Sequence, residues 1–287
     1  MERFIELIKY ILFGAIQGIT EVLPISSSGH VTFAQEILNV KIDDSVLFLI
    51  VLNFGSMIAV IYYLRLEIKT YFCDFIKYIF KRSDDKIVKS NFLYLKNVII
   101  GTIPLLFFGA IVLIYLDRYY HNNLLIFIAL GSLMTATILF IVRNQTNQHV
   151  KTNITTRDSL FIGFLQVLAL FPGLSRLGIT TAAGVQRKLS MDSALKFSFM
   201  MFIPVSIATI FSQIFGSDFE LEDMTSHFDA SNFWSYIFYF VGFIVSTVTT
   251  YFALKWVFIL FRKGKLRFFY LYNLVFGIIV LIIAINR

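Results

Sequence analysis

Apolar residues in this chain fall in long blocks rather than in the short periodic stripes of a soluble fold. Six blocks come close to the roughly 20 apolar residues that a hydrocarbon core requires: Ser45 to Leu64, Phe92 to Leu116, Asn123 to Val142, Ser193 to Phe215, Phe233 to Phe261 and Phe268 to Ile285. Two further apolar segments, 4–38 and 158–189, are broken near their middles by proline, glycine and serine. Neither half of either segment is long enough to cross, so each predicts a re-entrant helix–loop–helix hairpin. Irregular backbone of that kind is tolerated at membrane depth only where protein or a water-filled cavity surrounds it. The pattern therefore predicts an all-α integral membrane protein of six transmembrane helices and two re-entrant hairpins, folded as a single membrane domain over 1–287.

Composition agrees: 57% of the residues are hydrophobic, 15% are charged and the mean hydropathy is +0.76, outside the range of soluble domains. The first apolar run, Tyr10 to Ile16, is too short to span and no small-residue cleavage site follows it, so a removable signal peptide is not expected. A single cysteine, Cys73, excludes an intramolecular disulfide and a cysteine-based zinc site; it reads as a small apolar residue.

The net charge of +7 is unevenly placed. Arg65, Lys69, Lys77, Lys81, Arg82, Lys86 and Lys89 follow the first span, and Arg262, Lys263, Lys265 and Arg267 sit in the last connection. Between Gly216 and Asn232 lie Asp218, Glu220, Glu222, Asp223 and Asp229 with no lysine or arginine, and the turn after the second span has only Arg118. The positive-inside rule puts the basic loops in the cytoplasm and the others outside. Every loop falls on its preferred side if both hairpins return to the face they entered from, with both termini outside. The basic charge thus serves topology and anionic headgroups rather than nucleic acid.

The two broken segments resemble each other. GAIQGITEVLPISSSG starts at Gly14 and GFLQVLALFPGLSRLG at Gly163, and an offset of 149 residues superimposes Gly14 on Gly163, Gln17 on Gln166, Ser26 on Ser175 and Gly29 on Gly178. Three spans follow each hairpin. Three is odd, so the second unit, about 150–287, is inverted relative to the first, about 1–145. Inverted repeats bring their broken helices together near the midplane, where their sites lie.

Gln17 and Glu21 are four residues apart and share a helix face, while Gly14 and Gly18 form a GxxxG pair suited to close helix packing. An ionisable group at membrane depth is costly and marks function. After Pro24, residues Ser26, Ser27, Ser28 and Gly29 supply hydroxyls and backbone N–H groups where a helix begins, a natural anion seat. His30 follows and can shuttle a proton near neutral pH. The second hairpin offers Pro172, Gly173, Ser175, Arg176 and Gly178, with Thr180 and Thr181 one turn on. The planar guanidinium of Arg176 suits phosphate oxygens. Face to face, the hairpins hold a carboxylate, an imidazole, hydroxyls and an arginine, a set suited to phosphoryl chemistry on a lipid.

These residues resemble a known family, the bacterial integral-membrane undecaprenyl-diphosphate phosphatases of the BacA bacitracin-resistance type. The likeness spans essentially the whole chain and rests on QGITE (Gln17–Glu21), PISSSGH (Pro24–His30) and PGLSRLG (Pro172–Gly178), with weaker support from Asn53–Val60 and Lys196–Pro204. It implies an enzyme of the cytoplasmic membrane, with its site toward the outer face. Such an enzyme removes the terminal phosphate of undecaprenyl diphosphate, so that the lipid carrier is reused in peptidoglycan and cell-wall synthesis. Glu21, Ser27, His30 and Arg176 become the expected catalytic residues, and Ser26, Ser28, Gly29, Ser175, Gly178 and Thr180 the phosphate-binding ones. A divalent cation, magnesium or calcium, is expected with Glu21 as a ligand; no organic cofactor is implied. Three positions depart from the family pattern: Gln17 replaces a frequent glutamate and is a poor metal ligand, Leu177 replaces a frequent serine, and Asn53 stands where a glutamine is common. The nucleophile remains open between Ser27, His30 and water, as does monomer against homodimer. An alternative class, a lipid-carrier flippase or anion transporter, shares the inverted-repeat plan but would not release phosphate in detergent.

Overall fold

The computed structural model describes residues 2–38, 46–120, 123–144, 151, 153–215 and 233–286. Among them the elements are helical: α1 (Glu2–Glu21), α2 (Ser27–Leu38), α3 (Val46–Tyr63), α4 (Arg65–Phe80), α5 (Lys86–Tyr120), α6 (Leu124–Val142), α7 (Thr156–Val167), α8 (Arg176–Gln186), α9 (Met191–Phe215), α10 (Phe233–Arg262) and α11 (Arg267–Ile285). A 3-10 turn, Leu168–Leu170, extends α7, and one isolated bridge joins Lys151 to Leu189. The expected acidic connection, 216–232, lies outside the described residues.

Among the described residues five helices are long and apolar enough to cross a membrane: the Lys86–Gly109 part of α5, α6, α9 to Ile214, α10 from Trp234, and α11. The sixth expected span, α3, meets that test only together with α4, from which it bends by 74°. Here the sequence expectation needs correcting, because 65–80 is a helix and not a charged connection. Its signal was a stripe of aromatics at helical spacing: Tyr71 stacks on Tyr94 (4.6 Å), and Phe75 and Tyr78 stack on Phe92 (5.7 and 4.2 Å). The basic residues occupy other faces of the same helix, and Cys73 is exposed on it rather than packed.

Small residues set the closest helix contacts. A Cβ on Gly14 would stand 2.7 Å from the Gly242 carbonyl oxygen, and one on Gly18 would collide with Ser246 and Thr249, so α1 and α10 touch backbone to backbone. The GxxxG pair is a packing device, as its spacing implied. Hydroxyls tie the same region: Ser246 Oγ donates to Leu52 O (2.9 Å) and Thr250 Oγ1 to Gly18 O (3.0 Å), while the Ser56 and Thr250 hydroxyls lie 3.0 Å apart. Interhelical bonds of this kind are worth about 0.6 kcal/mol each. On α10, Phe240, Ile244, Val248, Phe252, Trp256 and Ile259 form an exposed stripe at three- and four-residue spacing, the face for lipid tails.

Packing partners follow a pattern. α1 lies on α10 and α7 on α5; α3 also lies on α10 and α9 on α5; α6 packs against α11. The 149-residue offset carries α1 onto α7, α3 onto α9 and α5 onto α10. Matched helices therefore have matched partners in the opposite half.

Candidate active site

The two hairpin turns are built alike. Pro24 lacks an N–H and disfavours a helical Leu23, and α1 stops at Glu21. Ser26 then takes a left-handed φ of 66°, and its Oγ accepts from Gly29 N (3.4 Å) at the start of α2. In the second hairpin Gly173 supplies the left-handed φ (82°), and Ser175 Oγ accepts from Gly178 N (3.1 Å) at the start of α8. The matched serines Ser26 and Ser175 are thus matched helix caps. The same offset sets Ser27 on Arg176, the first residue of each second helix.

Helices α6 and α11 clasp these turns. Thr135 Oγ1 accepts from Ser175 N (3.0 Å), while Asn273 Nδ2 donates to Pro24 O (2.8 Å). A Cβ on Gly131 would collide with Pro172 O, so the turn of the second hairpin rests on the backbone of α6.

Glu21 is the hub. Its Oε1 receives Arg176 Nη2 at 2.7 Å, and its Oε2 receives Ser27 Oγ at 2.5 Å and Gln17 Nε2 at 2.8 Å. Gln17 Nε2 also donates to Asn53 Oδ1 at 2.6 Å, so two of the three departures from the family pattern touch each other. The Arg176 guanidinium lies 4.5 Å over the Phe202 ring, which holds its plane. With one N–H on Glu21, the fork keeps further donors for a ligand.

These groups line a cavity of about 400 Å³ bounded by both turns, α5, α7 and α9. Glu21, Ser26, Ser27, Ser28, Asn53, Ser175, Arg176 and Leu177 face it. Four expected residues do not. His30 turns to α11: Nδ1 lies 2.7 Å from Ser26 O, Nε2 lies 2.8 Å from the Tyr272 hydroxyl, and the ring stacks on Phe276 at 4.0 Å. Gly29 and Gly178 spend their N–H groups on the capping serines. Thr180 Oγ1 donates back to Arg176 O (2.8 Å), inside its own helix. A second cavity, about 530 Å³, opens at the start of α5 and α9 beside Lys86, Lys89 and Lys196; it holds none of the expected site residues.

The three main motifs that resembled the family therefore meet at one carboxylate, and residues 10–279 match the family model described as bacitracin resistance protein BacA. The chain belongs to the BacA family. It is 33% identical to undecaprenyl-diphosphatase 3 of Bacillus anthracis over 98% of this chain and 99% of that one. It is 36% identical to undecaprenyl-diphosphatase 1 of Bacillus licheniformis over the same shares. Undecaprenyl-diphosphatase of Oceanobacillus iheyensis is 31% identical over 98% of each chain.

For a member of this family the metal question turns on donors. Among the described residues no three His, Cys, Asp or Glu side chains gather in one place. Among the described residues Glu21 is the only carboxylate facing the cavity, and both its oxygens already accept hydrogen bonds. An all-protein cage is thus not formed by these residues. One carboxylate does suit a magnesium ion that keeps its waters and takes its remaining ligands from a substrate phosphate.

Sequence reasoning did not single out Gln166, Ser206, Thr209 or Gln213, which complete the cavity wall. For Gln166 a signal existed, since the offset places it on Gln17. For the α9 residues there was none, because isolated polar residues in a span read as helix-bonded side chains.

Proposed function

We propose that this cavity is where undecaprenyl diphosphate is hydrolysed to undecaprenyl phosphate and inorganic phosphate, with Ser27 as nucleophile. The observation that carries this is the 2.5 Å donation from Ser27 Oγ to Glu21 Oε2 beside the Arg176 fork. Ser27 Oγ attacks the terminal phosphorus and passes its proton to Glu21. The bridging P–O bond breaks, and undecaprenyl phosphate leaves with the electron pair. The proton held by Glu21 passes to the departing undecaprenyl phosphate; water then attacks the phosphoserine and gives a proton to the freed Glu21 carboxylate, and inorganic phosphate leaves as that proton returns to Ser27 Oγ. Arg176 holds the equatorial oxygens where charge spreads in the transition state. Glu21 would also hold a divalent cation, magnesium or calcium, whose contribution is to neutralise charge on the phosphate oxygens. His30, bonded through both ring nitrogens and turned from the cavity, positions the Ser26 carbonyl rather than attacking phosphorus.

The exchange of packing partners between the two halves supports the inverted repeat, 1–145 and 150–287, with both hairpins re-entrant. The distribution of basic residues supports the cytoplasmic membrane, with the site opening toward the outer face. Purified protein in detergent, without any gradient, is expected to release inorganic phosphate from undecaprenyl diphosphate. A lipid-carrier flippase or anion transporter would release none, and that outcome would overturn the hydrolytic role.

A further inference from the structure

Gln166, on α7, is 1% exposed, and its Nε2 has no hydrogen-bond partner although it lines the cavity holding Glu21, Ser27 and Arg176. Buried donors in native folds are nearly always paired, so one left unpaired on a residue of the cavity wall marks a place for ligand or water. Gln213 Oε1, on the α9 wall, is buried and unpaired as well. The contrast with the matched residue is direct. Gln17 spends its Nε2 on both Glu21 and Asn53, whereas Gln166, at the same place in the other half, keeps its Nε2 unspent.

The two sides of the cavity also differ in chemistry. Among the described residues all the charge comes from α1 and α8, through Glu21 and Arg176, with the Ser27 hydroxyl of α2 beside them. The wall that carries Gln166 also holds Ala169, Leu170, Leu105, Val205 and Ile210, apolar residues suited to isoprenyl carbon, interleaved on α9 with Ser206, Thr209 and Gln213. A polyprenyl diphosphate needs a charged grip on its terminal phosphate, an apolar wall for its chain, and a donor between them for the phosphate attached to the lipid. Gln166 carries an unspent donor on that wall, and a neutral amide there does not compete with Arg176 for the transferred group.

We propose that Gln166 Nε2 is a positioning donor for the lipid-side phosphate, the one retained in undecaprenyl phosphate. This rests on the cavity being the hydrolytic site.

The test uses full-length protein in detergent, wild type beside Gln166→Met. No hydrogen bond of the ligand-free protein is lost, so the thermal midpoint is expected to hold or rise. KM for undecaprenyl diphosphate should rise about tenfold, as for one lost bond to a charged acceptor. Inhibition by added undecaprenyl phosphate should weaken by a similar factor, and inhibition by inorganic phosphate should stay as in wild type. Gln166→Glu, which replaces the donor by a negative acceptor of the same size, should weaken both KM and product inhibition further. The assignment is overturned by an unchanged KM, by weakened inhibition from inorganic phosphate alone, or by a fall in thermal midpoint with unaltered kinetics. A wild type that releases no phosphate would instead sink the hydrolytic role itself, so the two failures are distinguishable.

Discussion

Arg176 Nη2 stands 2.7 Å from Glu21 Oε1, joining two helices whose contacting residues are 155 positions apart and fastening one hairpin to the other. The Glu21 side chain is 7% exposed and that of Arg176 26% exposed, so both line the cavity and the carboxylate is the more deeply set. Replacing Arg176 by Ala removes the phosphate clamp and leaves a buried carboxylate without its cation. Turnover should fall by about 10² to 10³, the cost of one preorganised donor, with a lower thermal midpoint. Arg176→Lys should restore the midpoint more than the rate, because a point charge pairs with Glu21 but lacks the fork. Steady-state phosphate release and a melting curve on the same samples separate the two effects.

Gln17 donates to two acceptors, Glu21 Oε2 and Asn53 Oδ1. Gln17→Glu would present an acceptor to both and set a second carboxylate beside the first. In chelator this variant should melt below wild type. Added magnesium or calcium should recover the midpoint by bridging the two carboxylates, an effect much smaller in wild type. A variant that melts like wild type in chelator would show that the Gln17 donor is not what holds Glu21 and Asn53.

Gly173 has φ 82°, and a Cβ there would collide with the Ile128 carbonyl oxygen of α6. Gly173→Ala therefore meets both a backbone conformation that resists a side chain and a rigid neighbour. It should cost more than about 1 kcal/mol and disturb the turn that carries Arg176, so the thermal midpoint and the rate fall together.

Asp158, fully buried at the start of α7, accepts from Lys151 Nζ (2.6 Å), Arg187 Nε (2.8 Å) and Thr155 (Oγ1 2.7 Å, N 3.0 Å). Burial alone would raise its pKa, but these donors outweigh burial and hold the carboxyl well below the usual carboxylate range. A folded pKa lower than the unfolded value means that the stabilisation is fully present above about pH 4 and is lost as pH falls through the folded pKa. Thermal midpoints should drop in that acid range. Asp158→Asn should remove that acid dependence and lower the thermal midpoint at neutral pH, by less than a fully buried ion pair would, because the Lys151 and Arg187 side chains are 37% and 41% exposed and can hydrate once unpaired.

Much of this architecture was legible because membrane burial imposes long apolar blocks, and the ends of α6, α9, α10 and α11 fall within two residues of the blocks that announced them. The meeting of Glu21, Ser27 and Arg176 was legible through the repeat, which told each hairpin what to face. Helix α4 was not, since its lysines and arginines carry a topological signal that hides the Tyr71, Phe75 and Tyr78 stripe. Nor was the direction of His30, which depends on the left-handed Ser26 beneath it and on Tyr272 and Phe276 of α11. Those partners lie more than 240 positions away, and no local pattern points to them. Thr180 looked like a phosphate ligand because hydroxyl composition is visible in a sequence, while the rotamer that ties it to Arg176 O is not.

The most direct measurement is the rate of phosphate release from undecaprenyl diphosphate in detergent by wild type beside Ser27→Ala, with enzyme quenched in acid during turnover of substrate labelled on its terminal phosphate. Wild type should release phosphate and carry an acid-stable label on Ser27, while Ser27→Ala should lose both. Near-normal turnover by Ser27→Ala, or a label on His30 that survives a parallel alkaline quench but is lost in acid, would contradict a site organised around Ser27 and Glu21.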